Sequence, residues 1–271
     1  MNSSVERQTI QMIPKIIHYC WFGGNPLPET ALKCIESWKK YCPGYEIKEW
    51  NEKNYDVNKI IYTAQAYQAK KYAFVSDYAR FDILYQYGGI YFDTDVEVIK
   101  PIDEIIEKGA FLGMENIGMV ASGLGMAAHA HNEIYAEIMD SYKRSDFIKF
   151  NNRMDLTTVV ERVTSILRKY GLTKDNAIQT IKDITVYPVD YFNPKDPRTG
   201  ITSITPNTYT IHHFDASWAS PLRRKYIKYC QVMIPKIGNI PTHVILFPMR
   251  IVCIIQEVGF RGLIKKFIGR C

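Results

Sequence analysis

The sequence predicts an α/β fold built on a mostly parallel central sheet, and three observations lead there. A short apolar run, a helical stretch and a second extended run follow one another between residues 13 and 50, separated by glycine and proline. A further helix, a glycine pair and a strand occupy residues 76–98. Strands alternating with helical spacers in this way are the pattern of βαβ units.

The first element, Ile13 to Phe22, is apolar and aromatic, ends at Gly23-Gly24, and reads as a buried strand. Residues 29–41 carry Ala31, Leu32, Ile35 and Trp38 at helical spacing, and Cys42-Pro43-Gly44 stops that helix. Tyr45 to Trp50 alternates as a half-exposed strand. Ser76 is a suitable N-cap, with Asp77 placing negative charge in the first helical turn. The helix then runs through Arg80 and Leu84 to Tyr87, and Gly88-Gly89 ends it. Ile90-Tyr91-Phe92 follows as a strand, with Asp93-Thr94-Asp95 at its end. In extended chain the two carboxylates point the same way and Thr94 the opposite way. Residues 130–170 are helical in pattern, 187–208 form a loop rich in Pro, Asp and Asn, and Tyr209 to Phe214 is a late strand.

With 271 residues, 46% of them hydrophobic, the chain can bury a full core. A net charge of +6 suits anionic ligands without choosing among them. Six cysteines form no C-x-x-C pair and no zinc-type cluster with histidine, so they read as reduced thiols of a cytoplasmic protein. The polar amino terminus lacks the pattern of a secretory leader. No phosphate-binding G-x-x-x-x-G-K-[ST] loop is present, and the dispersed lysines and arginines match no nucleic-acid motif.

Two features carry chemistry. Paired carboxylates at a strand end suit a divalent cation that also binds phosphate oxygens and water. Asp77 and Arg80, three apart, share one helix face. They are either an ordinary surface ion pair or contacts to a phosphorylated ligand.

These blocks, Ile16 to Gly24, Ser76 to Asp95 and His212-His213-Phe214-Asp215-Ala216-Ser217-Trp218, resemble the DXD-containing glycosyltransferases of family 32 and, more distantly, clostridial glucosylating toxins. The resemblance implies a GT-A fold, one Rossmann-like domain over 12–230; residues 231–271 fall outside it and read as a basic amphipathic tail. It implies a retaining hexosyltransferase using Mn2+ or Mg2+ and a nucleotide-sugar donor. The expected donor is a UDP-hexose or UDP-N-acetylhexosamine, with GDP-mannose next. Carried over by position, Trp21, Phe22 and Gly23 line the donor site, Trp21 stacking on the base unless it is simply a core side chain. Asp77, Arg80, Tyr91, Asp93 and Thr94 contact the donor, and Ser217 and Trp218 close over its diphosphate. Asp93, Asp95 and His213 are the implied metal ligands, His213 being preferred to His212 because it directly precedes Phe214. Asp93, Asp95 and Arg80 are the implied catalytic groups.

The implied acceptor is a glycan or lipid-linked glycan of capsule or lipopolysaccharide synthesis. Alternatives are a toxin-like transferase modifying a protein, and a nucleotide-sugar binding module without turnover. No apolar run in the tail reaches the roughly 18 residues of a spanning helix. Residues 260–270 mix Phe260, Leu263, Phe267 and Ile268 with Arg261, Lys265, Lys266 and Arg270. They are suited either to an anionic membrane surface on the cytoplasmic side or to packing on their own domain.

Overall fold

The computed structural model describes residues 12–150, 152–216 and 219–256. In chain order it contains β1 (Ile16–Cys20), α1 (Glu29–Tyr41), β2 (Glu46–Trp50), α2 (Ile61–Gln68), α3 (Tyr72–Tyr87), β3 (Gly89–Tyr91) and β4 (Val96–Val98). These are followed by α4 (Asp103–Ile106), β5 (Phe111–Asn116), β6 (Met119–Ala128), α5 (Glu133–Lys143) and α6 (Val159–Lys169). Then come β7 (Gln179–Ile181), β8 (Ile184–Tyr187), α7 (Val189–Phe192), β9 (Thr210–His212), α8 (Pro221–Ile237) and α9 (Asn239–Ile245). A last helix, α10, covers Phe247–Gln256.

Seven strands form the main sheet in the order β2-β1-β3-β6-β5-β8-β7. β1 pairs in parallel with β2 and β3, and β5 in parallel with β8, whereas β6 runs antiparallel to both its neighbours and β7 antiparallel to β8. Five of the seven strands therefore share one direction, which is the GT-A, Rossmann-like arrangement expected. β4 and β9 form a separate antiparallel pair, Val96 opposite His212 and Val98 opposite Thr210.

Alternation along the strands divides the core between the two sheet faces. Ile17, Ile90, Phe111 and Ala127 join Cys34, Ile35 and Trp38 of α1 in one cluster. Tyr91, Leu112, Met126 and Ala128 join Tyr62, Phe81, Tyr135 and Val163 from α2, α3, α5 and α6 in the other. α3 is buried at Val75 and from Asp77 through Leu84, so the helix that carries Asp77 and Arg80 is enclosed on nearly every side.

Local details depart from expectation in three places. Ser76 is not the N-cap of α3; that helix starts at Tyr72, and the Ser76 hydroxyl bonds back to the Tyr72 carbonyl at 3.2 Å. The apolar residues Ala73, Phe74 and Val75 extend the buried helix one turn earlier. In α1 the inner stripe takes Cys34, while Leu32 faces solvent. Asp93-Thr94-Asp95 is not extended: the Val96 N–H donates to the Asp93 carbonyl at 3.1 Å, closing a turn. The turn arises because the chain leaves the main sheet after β3 and enters the small one at β4.

The chain divides into one unit holding residues up to Asn193 with Thr205–His212, and a second holding Pro194–Ile204 with residues from His213 onward. The first unit reaches His212 because β9 pairs with β4. In the second unit Tyr226, Cys230, Leu246 and Cys253 form a small core with Leu222, Ile227 and Met249. Among the described residues no single helix is long and apolar enough to cross a membrane, although α9 and α10, bent by 66°, satisfy length and composition together. Residues 260–270 lie outside the described ones.

Candidate active site

β3 delivers the chain to the end of the main sheet, and the turn after it carries the two carboxylates. Directly behind that turn, α3 presents Arg80, only 4% exposed. Its guanidinium lies 3.1 Å from Asp77 Oδ1, 3.1 Å from Asp93 Oδ1 and 3.4 Å from Asp93 Oδ2. It also donates to the Ser122 hydroxyl at 3.2 Å and to the Ser76 carbonyl at 3.1 Å, and sits 5.0 Å from the centre of the Tyr91 ring. Burial opposes its charge, but the carboxylates of Asp93 and Asp77 outweigh that and hold the guanidinium more firmly protonated than usual. The expected pairing of Asp77 and Arg80 exists, and as a buried pair instead of a surface one.

Asp93 is fixed from three sides. Arg80 holds both its oxygens, the Tyr91 hydroxyl donates to Oδ1 at 3.0 Å, and the Asp93 N–H donates to the Gly123 carbonyl at 3.1 Å. Burial raises the Tyr91 hydroxyl well above its ordinary pKa, so it stays a donor. A Cβ on Gly123 would collide with the Asp93 carboxylate, so the close approach of β6 requires glycine there.

Asp95 meets a different partner. His212, the last residue of β9, places Nε2 3.1 Å from Asp95 Oδ1. Burial works against charging this imidazole; the attraction of Asp95 and its hydrogen bond, with Asp93 and Glu115 beyond, prevail and raise its pKa. The β4–β9 register explains the choice between neighbouring histidines. Val96 pairs with His212, so His212 is the one brought beside Asp95. His213 falls in the second unit, where its carbonyl accepts from Lys195 Nζ at 3.2 Å. Of the two neighbouring histidines, His212 is the one seen in contact with Asp95 among the described residues.

Three acidic side chains with one arginine leave the cluster short of positive charge, and Asp93 and Asp95 keep 28% and 18% of their side chains exposed. Oxygen donors at an accessible edge, with one imidazole, fit Mg2+ or Mn2+. Among the described residues no three His, Cys, Asp or Glu side chains form a ready-made cage.

Asp77 is an acid perturbed by its surroundings. Burial pushes its carboxyl up to about 6, with Asp93 adding to the rise and Arg80 and Arg162 opposing it. A carboxyl whose folded pKa exceeds its unfolded value of about 3.9 makes the folded state hold more protons between the two. Its ionisation therefore costs stability as pH rises from about 4 to about 6. Asp77→Asn should remove that cost, so the stability of wild type relative to the variant falls across this window. Denaturant midpoints that differ by the same amount at both ends of the window would dismiss the buried-acid assignment.

The remaining expected donor contacts are placed as follows. Trp21 is half-buried, its indole N–H donating to the Asn25 carbonyl at 2.6 Å. Phe22 is 5% exposed and packs on Tyr55 with ring centres 5.8 Å apart. It belongs to the core cluster on that face of the sheet. Gly23 has φ 98° and its N–H donates to Glu52 at 2.5 Å. Thr94 is half-buried within the carboxylate turn. Ser217 and Trp218 lie outside the described residues.

His18 is buried and hydrogen-bonded through both ring nitrogens. Its Nε2 donates to the Gly88 carbonyl at 3.0 Å, and Nδ1 accepts from the Trp50 indole at 3.0 Å. Burial, with Lys48 nearby, pulls its pKa down to about 4, so it is neutral. The sequence reading missed Ser122, Gly123 and Glu115. The glycines at 123 and 125 within an otherwise apolar strand were the available signal of a close approach.

Residues 28–112 match the family described as the glycosyltransferase sugar-binding region containing the DXD motif. Inositol phosphoceramide mannosyltransferase 1 of Schizosaccharomyces pombe is 29% identical over 114 residues, 38% of this chain and 34% of that protein. The chain thus spans about a third of that relative's length. An uncharacterized glycosyltransferase, L373, of Acanthamoeba polyphaga mimivirus is 25% identical over 234 residues, 82% of this chain and 88% of that protein. The solved PaToxG glycosyltransferase superposes with a TM-score of 0.44 at 19% identity, covering 58% of this chain and 69% of that one.

Proposed function

Because residues 28–112 are a sugar-binding region of the DXD-containing glycosyltransferases, we propose that this chain is a divalent-metal-dependent, retaining hexosyltransferase. It moves a sugar from a nucleoside diphosphate donor to a glycan acceptor, in the synthesis of a bacterial surface polysaccharide. The observation that carries this reading is the convergence of Asp77, Arg80, Asp93, Asp95 and His212 beyond β3. The mannosyltransferase name of the fission-yeast relative brings GDP-mannose level with the UDP-hexoses as donor. That relative's name also contains a ceramide, which favours an acceptor carried on a lipid.

Asp95 with His212, and Asp93, whose side chain keeps 28% exposure, are the groups that would hold the cation. When bound, the cation supplies countercharge for the departing diphosphate. Arg80 keeps Asp93 in place, and it leaves Asp77 ionised at neutral pH to accept from a hydroxyl of the donor. No side chain of the cluster is placed as a nucleophile, since every carboxylate is already engaged by Arg80 or His212. Same-face attack, with the donor's own phosphate taking the acceptor proton, suits that arrangement.

Trp21 is the candidate base platform, being half-buried and fixed by its N–H. Trp21→Ala should weaken nucleotide binding by about 1–3 kcal/mol, the scale of base–aromatic stacking. Titration calorimetry with UDP and GDP reads this directly, and unchanged affinity for both would return Trp21 to a packing role.

The function itself is tested by nucleotide release from a panel of UDP- and GDP-sugars with manganese, magnesium or EDTA. Release from one donor that is lost in EDTA supports the transferase and names its sugar. A panel with neither release nor nucleotide binding overturns it.

A further inference from the structure

Charge is distributed very unevenly along this chain. Residues 216–271 contain ten Lys or Arg and one Asp or Glu, so the first 215 residues carry three more acids than bases although the whole is +6. From Ala216 to Gln256 no acidic residue occurs, while Arg223, Arg224, Lys225, Lys228, Lys236 and Arg250 do. The first five belong to α8 and Arg250 to α10.

The same helices leave large apolar side chains in solvent. Ile240 is 77% exposed and Val244 69%, with Ile245 and Phe247 beside them in sequence and also exposed. Their inward faces are already satisfied: Thr242 of α9, Leu246 between the helices, and Cys253 and Ile254 of α10 are buried. The outward apolar row is therefore surplus to the small core of this unit. Scattered exposed apolar residues are ordinary, but a run over one short helix and the turn after it is not. The 66° bend between α9 and α10 makes them a wedge, too short on either side to span a bilayer.

We infer that α8, α9 and α10 form a docking surface for an anionic lipid bilayer. Ile240, Val244, Ile245 and Phe247 enter the acyl boundary, and the basic residues of α8 meet the headgroups. Apolar insertion combined with a basic patch is the two-signal arrangement that gives stable peripheral binding. An occupant of this kind is chosen over a protein because the surface pairs exposed apolar area with a stretch, Ala216 to Gln256, that holds six basic residues and no acidic one. The inference deepens the lipid-borne acceptor proposed above by saying how the enzyme would reach it.

The test is flotation of the full-length protein with vesicles of phosphatidylcholine alone or mixed with phosphatidylglycerol, at low and high salt. Wild type should float with the anionic vesicles about tenfold more than with the neutral ones, and high salt should reduce this. I240D/V244D and R224E/K225E/K228E should each lose about tenfold in anionic binding. All five positions are exposed, so unchanged circular dichroism and melting are expected. Equal flotation of neutral and anionic vesicles, no flotation, or flotation of both variants like wild type overturns the inference. So does conversion of a dimer to a monomer by I240D/V244D without any vesicle binding, which would make this face a contact between copies. Donor hydrolysis in solution should be the same for wild type and I240D/V244D, so failure of docking and failure of the transferase reading are told apart.

Discussion

Asp95→Ala is expected to lower metal-dependent donor turnover by about 10²–10³, the cost of removing one group that stabilises charge developing in a transition state. What turnover remains should no longer respond to EDTA. The fold should survive, because Asp95 lies at a partly exposed turn and its described partner, His212, is held by the β4–β9 pairing. His212→Ala should act in the same direction with a smaller effect, since imidazole assists a carboxylate there instead of replacing it. The measurement is initial rate against manganese concentration for both variants, with melting curves alongside. Near wild-type rates for Asp95→Ala with the metal still required would remove Asp95 from the site.

Arg80→Met is expected to damage both stability and activity, by a different route. Arg80 is the buried cation between two carboxylates. Breaking such an arrangement by deleting one partner costs about 3–5 kcal/mol, because the remaining charges stay buried and unopposed. In a chain of this size that lowers the melting temperature by on the order of 10 °C. The deficit should grow as pH rises from acid to neutral. Without the guanidinium that opposes the rise, Asp77 holds its proton still more tightly in the folded state than in the unfolded one, and its ionisation then opposes folding further. Arg80→Lys should recover part of the stability but little activity, since an ammonium cannot reach Asp77, Asp93 and Ser122 with one planar fork. A double variant adding Asp77→Asn to Arg80→Met should regain stability without regaining turnover. Melting of Arg80→Met indistinguishable from wild type would show that the buried ion cluster is not what holds this end of the sheet.

Much of the candidate site was legible in local pattern. The glycine pair after α3 marked a helix end, the apolar run after it marked β3, and the carboxylates at its end marked the ligand edge of an α/β sheet. These features depend on residues close together in the chain, where spacing alone decides direction and exposure. Asp77 and Arg80 were likewise legible as neighbours on one helix face, though whether that face met water or the sheet was not.

What tertiary structure alone decided are the relations between distant segments. Choice of His212 depends on the β4–β9 register, which joins strands more than a hundred residues apart. The turned shape of Asp93 to Asp95 depends on the chain changing sheets, an event that extended-strand periodicity does not encode. The requirement for Gly123 comes from a carboxylate thirty residues earlier lying against β6. Sequence by itself determined the strand–helix alternation, the acidic turn and the strongly basic carboxyl-terminal region, because each is a property of neighbouring residues. The tertiary structure decided which histidine meets Asp95, that Arg80 is buried between two acids, and that Phe22 is core. Each of those is set by long-range packing, where burial converts the same side chain from a solvated group into one whose charge must be matched.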